Sequence, residues 1–200
     1  MLIYYAVSWC LWVFVTFFSR KGSQRTIQAF VLLICISTGA FQLQFGLIYE
    51  LNGLYVVIFL TLILSLGRKG KHVSFLASSA GVFLYAAGVL TVFHSPAVFY
   101  GPPAVMIALF LCVLSFTFSK SEGSAWIILF LSLWAGESLT AVLLLPLTET
   151  MQLGSTFLFL HTAAYSAFGL YMLQSSISWL NANPKQRYES IPAEIYKQAQ

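Results

Sequence analysis

A chain of 200 residues that is 59% hydrophobic and 8% charged, with a mean hydropathy of +0.84, has too little polar surface to cover a water-soluble domain. It reads as an integral membrane protein. The formal charge of +4 does not point to nucleic acid, because the basic residues stand in short clusters between apolar runs, where orientation in a bilayer accounts for them. Cys10, Cys35 and Cys112 lie inside apolar segments without metal-ligand spacing, so they read as small core residues.

Leu2 to Phe18 is an apolar run followed by Arg20, Lys21 and Arg25. With no basic residue ahead of it and no small-residue cleavage site behind, it predicts an uncleaved first membrane helix with its amino end outside. A second helix is expected from Ile27 to Tyr49. There Gln28, Cys35, Thr38, Gly39, Gln42 and Gly46 recur at steps of three and four, which places a small and polar stripe on one inward face. Glu50, Asn52 and Gly53 predict a turn, and Leu54 to Leu66 a short third helix. After the basic loop Gly67 to His72, Val73 to Phe93 predicts a full-length fourth helix. Its Ser74, Ser78, Gly81, Tyr85, Gly88 and Thr91 again keep steps of three and four, the pattern of close helix packing in membranes.

Pro96, Pro102 and Pro103 mark the next connection, because proline lacks the N–H that a helix interior requires. A fifth helix is expected from Ala104 to Phe118, a sixth from Ala125 to Leu145 and a seventh from Thr156 to Leu180, longer than a bilayer needs. No proline falls inside any of these predicted helices. The expected fold class is therefore an all-α integral membrane protein with seven transmembrane helices: residues 1–180 form one domain and 181–200 a cytoplasmic polar tail. Within the tail, Pro192 could open a short helix. Seven crossings with the amino terminus outside put all ten Lys and Arg on one side, so the carboxyl terminus is expected in the cytoplasm.

The sixth helix carries Glu137 near its middle, where an ionised acid costs at least ~2.5 kcal/mol on insertion scales and needs an inward partner. The nearest candidate is His161. At ~1.5 Å per residue, Glu137 lies about 12 Å below the outer end of its helix and His161 about 8 Å below the start of the next, so the two can meet. Tyr165 follows His161 by one turn, Thr140 shares the Glu137 face, and Gln42 and Tyr85 stand at similar depth on their stripes. Glu137, His161, Tyr165, Thr140, Gln42 and Tyr85 are thus the candidate intramembrane polar site, either a small outward cavity or hydrogen-bonding glue. Ser132, Gly136 and Thr140 are expected to pack closely against Ala163, Ser166 or Ala167 of the seventh helix.

Enzyme chemistry lacks its residues. There is no aspartate, which removes an aspartyl dyad, and no His-Glu-x-x-His zinc motif. No lysine lies inside a span to carry a retinal. No catalytic residue, metal or cofactor is expected, and no nucleic-acid partner. The lipid bilayer is the expected surrounding, with another membrane protein or a small solute as partner.

An offset of 101 residues aligns Thr16 with Thr117, Gly22 with Gly123, Ile27 with Ile128 and Gly53 with Gly154, consistent with two parallel three-helix units joined by a fourth helix. In topology alone this resembles SWEET-type three-one-three carriers, whose substrate site lies at the midplane. The chain departs from that pattern in lacking both the Pro-Gln pair of the wider family and prolines within the spans. Over Tyr4-Tyr-Ala-Val-Ser-Trp-Cys-Leu-Trp-Val-Phe-Val-Thr-Phe-Phe18, it also resembles YphA-type small multi-pass membrane proteins of spore-forming Gram-positive bacteria. That resemblance implies a bacterial cell membrane and no particular activity. The functional expectation is a non-enzymatic membrane protein that binds or positions a membrane or envelope partner; the alternative is a small-solute or proton-linked transporter using Glu137 and His161.

Overall fold

A computed structural model describes residues 2–18, 23–39, 41–45, 49–69, 73–148, 151–154 and 156–189. Within them lie seven α-helices: α1 Leu2–Phe18, α2 Ser23–Thr38, α3 Gly53–Lys69, α4 Phe75–His94, α5 Pro103–Thr117, α6 Glu122–Thr148 and α7 Phe157–Glu189. Three short strands, β1 Gln42–Phe45, β2 Tyr49–Asn52 and β3 Met151–Leu153, form a sheet in the order β1-β2-β3. β1 and β2 are antiparallel, with Leu43 opposite Leu51, and β2 runs parallel to β3, with Glu50 opposite Gln152.

Local chemistry sets the helix starts. Ser74 caps α4 by accepting a bond from the Ala77 N–H at 3.3 Å, and Asn52 caps α3 by accepting from the Leu54 N–H at 2.8 Å. Pro103 opens α5, where its missing N–H costs nothing. Ser121 and Ser124 cap α6 reciprocally: each backbone N–H donates to the other's hydroxyl, at 3.0 and 3.3 Å.

Packing centres on α6, which lies against α3, α4, α5 and α7. Gly81 faces Ser132 and Gly136 faces the Tyr85 ring, so α4 and α6 ascend in step. Tyr55 meets Ser138 and Phe59 stacks on Trp134, so α3 descends against α6. At the far end the Trp126 indole N–H donates to Gln174 at 2.9 Å, while Thr156 meets Glu137 near the other, so α7 descends too. The exterior carries large apolar side chains, Leu2 83% and Phe75 86% exposed, while Ser78, Ser132, Glu137, Thr140 and Ser166 are buried within an otherwise apolar core. An apolar exterior of this kind suits a hydrocarbon solvent.

Two helices, α4 and α6, are long and apolar enough among the described residues to cross a membrane unaided; α1, α3, α5 and the Gln28–Thr38 part of α2 are apolar but shorter.

Several expectations are corrected. The second helix stops at Thr38, not Tyr49, because the chain turns at Gly39 and Phe41 accepts a bond from the Gly53 N–H at 2.8 Å, closing a hairpin. The stripe therefore breaks, and Gln42 is an exposed residue of β1 instead of an inward residue of a helix. A helical period read across Gln42 and Gly46 cannot distinguish four-residue strands from helix by spacing alone. α6 continues to Thr148 and so contains Pro146, which sits one turn from the helix end, where few backbone bonds are at stake. The small face of α6 packs on α4 and not on α7; α7 instead lies along α5, where the Cys112 thiol donates to the Ser166 carbonyl at 3.0 Å. α7 also runs on to Glu189, so the first part of the expected tail is helical. The short helix expected at Pro192, Gly46 of the stripe and the basic residues Arg20, Lys21 and Lys71 lie outside the described residues.

Candidate functional site

Glu137 is 2% exposed, and three donors from two other elements of the bundle fill its carboxylate. The Tyr85 hydroxyl on α4 donates to Oε2 at 2.7 Å. The Gly154 N–H donates to Oε1 at 3.1 Å, and the Thr156 hydroxyl to the same oxygen at 3.4 Å. Thr156 also accepts from the Phe159 N–H at 3.2 Å, so the residue that caps α7 is the one that holds the acid. The carboxylate thus faces the positive end of the α7 backbone dipole, where negative charge is favoured. Hydrogen bonds to a charged group are worth about 1.5–3 kcal/mol each, which recovers part of the cost of burying it.

The backbone supplies this geometry by close approach. Gly136, one residue before the acid, leaves room for the Tyr85 ring: a Cβ there would come within 2.8 Å of it. Tyr85, itself fully buried, can therefore lie across α6 and reach Glu137. Gly154 has φ +73°, a left-handed conformation that other residues reach only with strain. That conformation folds the connection after α6 back into the bundle and aims its N–H at Oε1.

A second contact layer fixes the site. Tyr55 and Ser138 share a 2.6 Å hydrogen bond one residue above Glu137. The buried Asn52 side chain donates to the Gly39 carbonyl at 3.1 Å while capping α3, so the α2–α3 hairpin and the return to α7 meet at the same level.

Of the six candidates, Glu137 and Tyr85 are joined. Thr140 is buried nearby on α6, but its hydroxyl turns back to the Gly136 carbonyl at 2.8 Å. Gln42 is on the surface. His161 does not pair with Glu137: among the described residues its Nε2 has no hydrogen-bond partner, and its ring packs between Phe157 and Tyr165 at 6.3 and 6.5 Å. The reason is rotational. Phe159 faces Tyr55 on the α3 side at 6.3 Å, and at ~100° per residue His161 points about 160° away from it. Tyr165 shares that other face. The residues missed by sequence reading are Gly154 and Thr156; Gly-Ser-Thr ahead of an apolar run is a helix-start signal that could have found them. Among the described residues no cluster of His, Cys, Asp or Glu could hold a metal.

No curated protein and no solved structure matches the chain. A family model described as YphA-like integral membrane protein matches residues 1–194. With nearly its whole length matched, the chain belongs to the YphA-like integral membrane protein family and has the lipid bilayer as its surroundings.

Proposed function

We propose that the protein crosses a bacterial cell membrane seven times, amino terminus outside and carboxyl terminus in the cytoplasm, and acts without catalysis by binding or positioning a membrane or envelope partner. The alternating directions of α3, α6 and α7 support the threading, and on that threading all ten Lys and Arg of the sequence would fall on the cytoplasmic side, as membrane orientation requires. The observation that carries the functional reading is the saturation of Glu137. Both oxygens are bonded within the chain, and at 2% exposure the acid serves as a joint between α4, α6 and the start of α7. A rigid joint of this kind suits a protein that presents a fixed surface. Glu137→Gln at wild-type expression is the test, since an amide can keep most of these bonds but exchanges no proton near neutral pH. A variant that keeps its biological activity and its crosslinked partner fits the proposal; loss of activity with folding intact counts against it.

A second reading, a small-solute or proton-linked transporter, is favoured by one feature. A buried acid stands beside non-helical backbone where two helices begin, an arrangement that transporters use at the midplane. A three-one-three repeat would fit it, and the parallel pairing of Tyr49 with Met151, at an offset of 102 close to the 101 found in sequence, supports that repeat. Against it, α5 packs along α7, whereas the equivalent α1 and α3 make at most a grazing contact. Substrate-dependent flux in proteoliposomes, abolished by Glu137→Gln, would establish this reading in place of the first.

A further inference from the structure

We propose that the connection between α4 and α5 is an interfacial anchor, its apolar tip seated among the headgroups and upper acyl chains of the leaflet at that end of the bundle. From His94 to Pro103 the chain carries no Lys, Arg, Asp or Glu. Both shoulders of the connection are fixed by backbone bonds. Ser95 donates to the Thr91 carbonyl at 2.8 Å and Val98 to that of Ser95 at 3.1 Å, forming a single 3-10 turn over Pro96–Val98. On the other shoulder the Pro102 carbonyl accepts from Val105 and Met106 at 3.0 and 3.3 Å. Between these shoulders Phe99 packs inward against the core, while Val98 and Tyr100 on either side of it turn outward, 61% and fully exposed.

The height of this loop follows from helix packing. Gly88 of α4 lies against Ile107 of α5. α4 ends six residues above that contact and α5 starts four above it, so at ~1.5 Å per residue the two ends differ in height by about 3 Å. The connection therefore starts and ends at nearly one level at this end of the bundle. Its surface continues the lipid-facing belt of the helices it joins, through Phe93 on α4 and Leu109 and Phe110 on α5, all more than half exposed. α4 is one of the two helices able to cross a bilayer unaided. Tyrosine, with an apolar ring and a hydroxyl that stays wet, is the residue type that collects at this depth. An uncharged, proline-shouldered loop presenting Val98 and Tyr100 fits a lipid surface without any partner protein.

The inference is independent of what the protein binds elsewhere. Its test places a polarity-sensitive fluorophore at Val98→Cys or Tyr100→Cys in a Cys10→Ala background, reconstituted in nanodiscs of phosphatidylglycerol and phosphatidylethanolamine. Lys120→Cys, on the exposed connection at the opposite end of α5, is the aqueous control. The fully exposed Tyr100 makes its replacement neutral for folding. Emission at 98 and 100 should be blue-shifted, quenched several-fold less by iodide than at 120, and quenched more by a nitroxide at acyl carbon 5 than at carbon 12. Iodide quenching equal to that at position 120 would overturn the anchor. Protection in native membranes that disappears in nanodiscs would also overturn it, assigning the loop to a partner protein.

Discussion

Tyr85→Phe removes one oxygen from the centre of the bundle and should cost far more than its size suggests. The Tyr85 ring stays packed over Gly136, so no cavity opens; what goes is the 2.7 Å donor to Glu137 Oε2. That oxygen has no other donor among the described residues, while Oε1 keeps Gly154 and Thr156. Losing a hydrogen bond to a buried charged group should lower stability by about 1.5–3 kcal/mol. Glu137→Ala should cost about 1–3 kcal/mol for each buried donor it strands, the Tyr85 hydroxyl and the Gly154 N–H. In the Glu137→Ala background the Tyr85 hydroxyl has no other partner among the described residues, so Tyr85→Phe should then be neutral or stabilising. The double-mutant cycle should therefore show a coupling of about 2 kcal/mol, well beyond the ~0.5 kcal/mol within which unconnected sites add. Equilibrium unfolding in mixed micelles, followed by tryptophan fluorescence, measures all four corners. A Tyr85→Phe effect below ~0.5 kcal/mol, the size of an ordinary surface substitution, would refute the reasoning.

Gly136→Leu should cost about 1–3 kcal/mol through overpacking, seen as a lower apparent melting temperature in detergent, because even its Cβ would come within 2.8 Å of the Tyr85 ring. Gly154→Ala should destabilise by at least ~1–2 kcal/mol from its left-handed backbone alone, with a further cost from a Cβ that would lie 2.7 Å from the Tyr55 Cβ; wild-type resistance to detergent unfolding would contradict this. Asn52→Ala should cost about 0.5–2 kcal/mol as a lost helix cap, and amide exchange should speed up at Leu54, whose N–H loses its acceptor. A cysteine at the exposed Gln44 should react with impermeant thiol reagents from outside the cell, and one at Lys120 only after permeabilisation; labelling of both in intact cells would break the proposed topology.

The membrane class and the helix inventory were written in the sequence. Hydrophobic burial is read residue by residue, and a run such as Leu2–Phe18 is marked off by the charged residues that follow it. α1 accordingly begins and ends where the apolar run does, and α3, α4 and α5 differ from their predicted bounds by at most three residues. Glu137 was equally legible, because a lone acid in an apolar run needs a reason wherever the run folds. What the sequence could not settle was who answers it. Glu137 and His161 share a depth along the helix axis, but whether they meet depends on the rotation of α7 and on the path of the chain between Thr148 and Phe157, and neither is a property of local spacing. The donors that win include a backbone N–H at Gly154, which carries no side-chain signature, and a capping hydroxyl whose second bond crosses to another helix. The same limit hid the sheet. Strands of three and four residues have no periodicity to read, and β2 finds β3 only because two connections a hundred residues apart are brought to one end of the bundle by the packing of α3 and α7 around α6.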